Sequence, residues 1–255
     1  MSKLIIFFSH ITEEAKLADI IKRHIEKDFL GFIKVFVSSD KESILVGDKW
    51  LNDIDLALKE AKIEFILSSK YSVSRPWVNF EAGAAWVRGI PVIPICHTGM
   101  RPVDLPVPLN MLQGIIATDK DGLNAIYDRL AKLLESDMPR CDYEIIINEI
   151  KSFENEYGLL RIVVEAVRAL IKLLPDFKQI FSPQPVSNSI SGDIQDFILY
   201  EMKPHLEILQ EKGMLSYSIG GNKIVFSNKS GGGNMIEVRL QVNDCYYKIV
   251  QQVIL

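Results

Sequence analysis

Over the first ~140 residues, short apolar runs alternate with stretches of helical periodicity, a rhythm that leaves few folds open. Leu4–Phe8, Phe32–Val37, Ile63–Leu67 and Val92–Ile95 are such runs, nearly continuous in apolar character, as strands buried on both faces are. Between them, Leu17, Ile20, Ile21, His24 and Ile25 recur at helical spacing behind Thr12, a candidate N-cap. Leu51–Ala61 places Ile54, Leu58 and Ala61 on one helical face, and a third helix is expected near Trp77–Val87. A short strand at Ile115–Ala117 and an amphipathic helix over Leu123–Leu134 follow. Connections of this length join parallel strands and lay helices on both faces of the sheet. The expectation is an α/β domain with about five parallel strands.

After Pro139 the rhythm stops. Tyr143–Glu156 and Leu159–Leu174 predict two helices, and the Ser/Pro-rich stretch Ser182–Gly192 predicts a linker. Asp193–Lys212 predicts a helix with Gly213 as its C-terminal stop. Gly220-Gly221-Asn222, between Met214–Ile219 and Lys223–Ser227, predicts a hairpin, and Ile236–Val242 and Tyr246–Val253 predict further strands. The chain thus divides into an α/β domain at 1–138, a helical connector and linker at 139–190, and a smaller α+β C-terminal domain at 191–255. A winged-helix module and a small α+β sensor both fit that last part.

Several function classes drop out on composition. Cys96, Cys141 and Cys245 are scattered and form no CxxC pair, so neither a disulfide framework nor a metal site is expected. Net charge is −4; residues 1–157 carry 19 basic against 24 acidic side chains, and residues 158–255 carry 10 against 9. Neither part is a basic module, which argues against nucleic acid as a partner. No segment approaches the roughly 20 apolar residues that span a bilayer, and the opening apolar run is too short for a secretory signal, so a cytoplasmic protein with no membrane partner is expected. GxGxxG, P-loop, GxSxG and HExxH patterns are missing.

Three segments carry chemistry. Phe7-Phe8-Ser9-His10 closes the first strand; Ile44-Leu45-Val46-Gly47-Asp48-Lys49-Trp50 follows the strand that ends near Asp40; and Leu67-Ser68-Ser69-Lys70-Tyr71-Ser72-Val73-Ser74-Arg75-Pro76-Trp77-Val78-Asn79-Phe80-Glu81 runs from the third strand into the next helix. In an open parallel sheet, ligands bind beyond the carboxyl ends of the strands, where all three segments begin. Trp77 and Glu81 are four apart, so on a helix they share a face and the indole walls the carboxylate. Taken in order, the segments resemble the opening aromatic-x-Ser-His box, the BB loop and the acidic helix block of bacterial TIR domains, over roughly residues 1–136.

The resemblance implies a flavodoxin-like sheet and cleavage of the nicotinamide–ribose bond of NAD⁺, by a glycohydrolase or cyclase of the kind used in bacterial defence or toxicity. It makes Glu81 the catalytic carboxylate and Phe7, Ser9, His10, Asp40, Leu45, Gly47, Trp50 and Trp77 the substrate-binding set. NAD⁺ is then a substrate, no cofactor or metal is needed, and the first domain self-associates. The C-terminal domain would receive a protein or small-molecule activator. One departure stands out: where some enzymatic relatives carry a stacking aromatic at the end of the fourth strand, this chain reads Ile95-Cys96-His97, with His97 or a neighbouring protomer as substitutes. Two other functions stay open at this point, a non-enzymatic TIR interaction module and a nucleoside deoxyribosyltransferase-like enzyme, which also uses a Glu on a similar scaffold.

Overall fold

The computed structural model describes residues 3–39, 57–225 and 233–254. They form two compact units, Met1–Glu156 and Tyr157–Leu255.

The first unit is built on strands β1 (Leu4–His10), β2 (Ile33–Ser39), β3 (Ala61–Ser68), β4 (Val92–Cys96) and β5 (Ile115–Ile116), in the order β2-β1-β3-β4-β5. Every pairing is parallel, as the alternation of strand and helix signals requires. Helices α1 (Ala15–Asp28), α2 (Pro76–Val87) and α3 (Lys120–Leu133) complete the layers. Of the helix expected over Leu51–Ala61, residues 57–60 are helical and Ala61 instead opens β3; the rest lies outside the described residues.

Register decides what meets what. Phe7 lies opposite Phe36 and Glu64, and Ser9 opposite Ser38 and Ile66, so these positions share one face of the sheet. On that face Phe7, Ile66 and Cys96 pack beneath Val78, Ala82 and Ala85 of α2. Ile6 and Phe8 turn to the other face, where the Phe8 and Phe65 rings meet edge-on at 5.8 Å. Tyr127 of α3 leans on Phe29 and donates its hydroxyl to Asp28 at 2.8 Å, tying α3 to the end of α1. α2 has no side-chain cap but begins with Pro76, whose fixed φ suits the first helical position. α3 is capped by Asp119, which accepts from the Gly122 N–H at 3.0 Å.

Beyond the sheet the structure corrects several expectations. Tyr143–Leu173 is a single helix, α4, and the chain passes from the first unit to the second within it. Gly158 lies at the expected break, but one helical glycine costs only about 1 kcal/mol and does not stop a helix. The expected linker over Ser182–Gly192 runs into a strand, β6 (Ser189–Gln195), and helix α5 starts at Asp196 and runs to Glu211. Gly213 adopts φ +72 after it, the left-handed stop that only glycine takes at no cost.

β7 (Leu215–Val225) and β8 (Gly233–Val242) complete an antiparallel sheet of order β6-β8-β7. Gly220-Gly221-Asn222 is therefore not a hairpin turn. It is an irregularity inside β7, where register shifts between Ile219 and Asn222, and the missing side chain lets Glu237 approach Gly220. Tyr246–Val253, expected as a strand, lies in helix α6 (Asp244–Ile254). Its β-branched and aromatic composition suggests a strand, but Tyr246 and Val250 are the buried pair, four apart. The hydroxyls of Tyr246 and Tyr247 donate to the Phe181 and Ile180 carbonyls, and the unit's core gathers Leu170, Met202, Leu206 and Leu240.

Candidate active site

The strand order reverses at β1, which has β2 on one side and β3 on the other, and in open parallel sheets ligands bind beyond the carboxyl ends of the strands at such a reversal. Ser9 stands at that end of β1, and α2 starts shortly after β3. Two helical turns into the region after Arg75, Glu81 turns inward and is fully buried. The Ser9 hydroxyl donates to its Oε2 at 2.6 Å, and the Trp77 indole N–H donates to its Oε1 at 2.7 Å. Both bonds are as short as bonds to a charged acceptor are. Ser9, distant in the chain, and Trp77, one helical turn earlier, thus meet at the Glu81 carboxylate, with the sheet below and the half-buried indole beside it.

Phe7 lies deeper on the same face, fully buried, its ring stacked on Phe36 at 5.6 Å. His10 follows Ser9 along the strand and therefore turns to the opposite face, away from Glu81. It too is fully buried, and neither ring nitrogen has a hydrogen-bond partner among the described residues. Asp40, Leu45, Gly47 and Trp50 lie outside the described residues.

Burial, opposed by the nearby Glu14 carboxylate, pushes the His10 imidazole down to about 4. The ring is neutral in the folded protein, while in the unfolded chain it takes a proton near its ordinary 6.5. A depressed histidine therefore contributes no penalty above 6.5 and destabilises progressively as pH falls from 6.5 toward 4. We expect His10→Phe, which keeps the ring and removes the titration, to flatten this acid limb by about 3 kcal/mol in denaturant unfolding. An unchanged slope would show that His10 does not carry it.

A second polar cluster ties the strand-end loops together around Glu14, which the sequence reading did not single out. Glu14, in the 3₁₀ turn after β1, is fully buried and accepts from the Ser69 hydroxyl at 2.5 Å. His97, just beyond β4, brings Nε2 to 3.2 Å of the same Oε1, and its Nδ1 lies 2.9 Å from the Thr98 hydroxyl. Ser72 donates to the Leu67 carbonyl at 3.0 Å and accepts from the Ser69 N–H at 2.9 Å. The loops after β1, β3 and β4 are locked to one another, which fixes where α2 begins and hence where Trp77 and Glu81 point. His97 is fully buried in this lock, so it offers no face on which a ligand could stack, and Cys96 is packed under α2 with its thiol pushed up to about 11 by burial.

Sequence reading also passed over Glu64. It sits in the middle of β3, fully buried, with no hydrogen-bond partner for either oxygen among the described residues. Burial, and after it the Glu81 carboxylate, holds its carboxyl well above the usual carboxylate range. The signal was present: one acidic residue inside the apolar run Ile63-Glu64-Phe65-Ile66-Leu67 of a strand buried on both faces.

Among the described residues no group of three His, Cys, Asp or Glu could hold a metal ion, and no helix is long and apolar enough to cross a membrane. Comparison with protein families matches residues 6–134 to the TIR domain. Comparison with curated proteins finds no match.

Proposed function

Because the chain belongs to the TIR domain family, we propose that its first unit cleaves NAD⁺ between nicotinamide and ribose, with Glu81 as the carboxylate that meets the developing positive charge. One observation carries this reading. Glu81 is fully buried beside the carboxyl end of β1, with each oxygen held by a neutral donor, Ser9 on one side and Trp77 on the other. A carboxylate fixed in that way is preorganised, so it need not reorient as charge develops.

The chemistry asked of it is modest. Nicotinamide leaves as a neutral base from a cationic nucleotide, the C1′–N bond breaks, and the ribose passes through an oxocarbenium-like state. Glu81 stabilises that cation. Capture by water gives ADP-ribose, and capture by the adenine gives a cyclic product. Deoxyribosyl transfer between nucleosides asks a similar carboxylate for similar help, so product identity separates the two.

A second reading has its own support. His97 is buried in the loop lock and Cys96 lies under α2, so neither provides the strand-end stacking surface. A neighbouring protomer would have to supply it, or the unit serves as a TIR interaction module without turnover. Purified protein incubated with NAD⁺ over a range of protein concentrations decides between these. Release of nicotinamide, with turnover per protomer rising as concentration rises, is expected. Deoxyribosyl exchange without NAD⁺ cleavage would move the reaction class, and inertness at every concentration would leave the interaction module. An activator acting on the second unit, and a role in defence or toxicity, belong to the same proposal.

A further inference from the structure

Glu64 and Glu81 place two fully buried carboxyl groups in one layer between the sheet and α2. Glu64 lies opposite Phe7 in register, two positions below the Ile66–Ser9 pair, on the face that α2 covers. The Ser9 hydroxyl and the Trp77 indole N–H both donate to Glu81, and the Ser68 hydroxyl, on the same face of β3, donates to the Ile66 carbonyl. Glu64 has no donor among the described residues, although both its oxygens are buried. Two negative charges in one buried layer disfavour each other, and an ionised carboxylate without a donor is the costlier of the two to keep.

We propose that Glu64 and Glu81 share a single proton, that Glu64 holds it, and that Glu64 thereby acts as a positioning residue that leaves Glu81 charged. The groups facing Glu64 are consistent with it. Glu81 is the only titratable side chain on α2, and Cys96 on β4 is a neutral thiol. Lys62, two residues earlier on β3, is exposed at the strand's start and forms no ion pair with Glu64 among the described residues. β1 presents Phe7 and Ser9 on this face, while His10 faces away. The raised proton affinity of Glu64, caused by burial and then by Glu81, agrees.

For the cleavage reaction, on which the functional meaning of this inference rests, the arrangement assigns the negative charge to the carboxylate beside the carboxyl end of β1 rather than to the one beneath it. The cost is a buried carboxyl group without a hydrogen-bond partner among the described residues. That cost has a pH signature. A glutamate whose folded value is raised stabilises the fold fully below its ordinary 4.5, and the contribution is lost as pH rises through the folded value.

The test needs no NAD⁺. Infrared difference spectra of wild type against Glu64→Gln should show the carbonyl band of a buried protonated carboxylic acid at neutral pH, and the band should titrate away at higher pH. In Glu81→Gln the same band should titrate at a value lower by about one pH unit or more, because the neighbouring charge is gone. No protonated band at neutral pH, or a midpoint that Glu81→Gln does not move, would overturn the shared proton. Unfolding free energies give an independent readout should Glu81→Gln fold poorly. Wild type should lose stability relative to Glu64→Gln as pH rises above 4.5, and parallel curves would overturn the assignment. A protein that passes both tests but leaves NAD⁺ intact keeps the proton pair and loses only its catalytic meaning.

Discussion

Glu81→Gln should lose about 10²–10³-fold in NAD⁺ cleavage, roughly 3–4 kcal/mol of transition-state stabilisation, while folding as the wild type does. The geometry allows the substitution. A glutamine keeps one carbonyl oxygen for the Trp77 N–H, and its amide N–H₂ can donate to Ser9, whose hydroxyl reverses from donor to acceptor. What disappears is the charge, which matters chiefly once the ribose becomes cationic, so NAD⁺ binding should change far less than turnover. Single-turnover cleavage alongside a direct binding titration separates the two. Active wild type together with a well-folded Glu81→Gln of equal rate would remove Glu81 from the chemistry.

The largest loss of stability should come from the other face of the sheet. Phe8 is fully buried, and its ring meets Phe65 edge-on at 5.8 Å with an interplanar angle of 80°. Phe8→Ala removes a ring from a layer that cannot close over the void, at a cost of about 3–5 kcal/mol. The denaturant midpoint of the first unit should fall with little change in slope. Because Phe8 and Ser9 turn to opposite faces, any cleavage measured on the remaining folded protein should be largely retained. A loss under about 1 kcal/mol would mean that the layer repacks in a way this geometry does not suggest.

The parallel sheet was legible because its signal is physical. A strand buried on both faces must be apolar throughout, and β1, β3 and β4 obey that rule. Trp77 and Glu81 were legible because helical spacing alone puts them together, and Ser9 joined them once strand β1 was aligned under α2. What failed were the places where composition and tertiary packing disagree. Tyr246–Val253 has the residues of a strand and the spacing of a helix, and the core of the second unit settles it in favour of the helix. Gly220-Gly221-Asn222 has the residues of a turn, yet the strand runs on and pairing with β8 resumes at Asn222 in a shifted register. Glu14 was passed over for a different reason: a lone acidic residue outside any periodic run has no signature, and only Ser69, brought from elsewhere in the chain, gives it meaning.

The helix that closes the first unit bears on where this polypeptide can be cut. The TIR match ends at residue 134, but the unit continues to Glu156. Along that stretch Ile146, Ile147, Ile150 and Phe153 are buried, Glu149 binds Arg23 and His24 on α1, and Glu154 accepts the Thr98 N–H at 2.6 Å. A polypeptide shortened to the family boundary would therefore leave a wet apolar scar over α1 and the loop after β4, prone to stick to whatever it met. Recombinant versions that stop near residue 134 should be insoluble or clump, and such clumping would be easily misread as the self-association proposed for this unit. One further α4 segment, to about residue 156, is what makes the isolated unit a fair specimen.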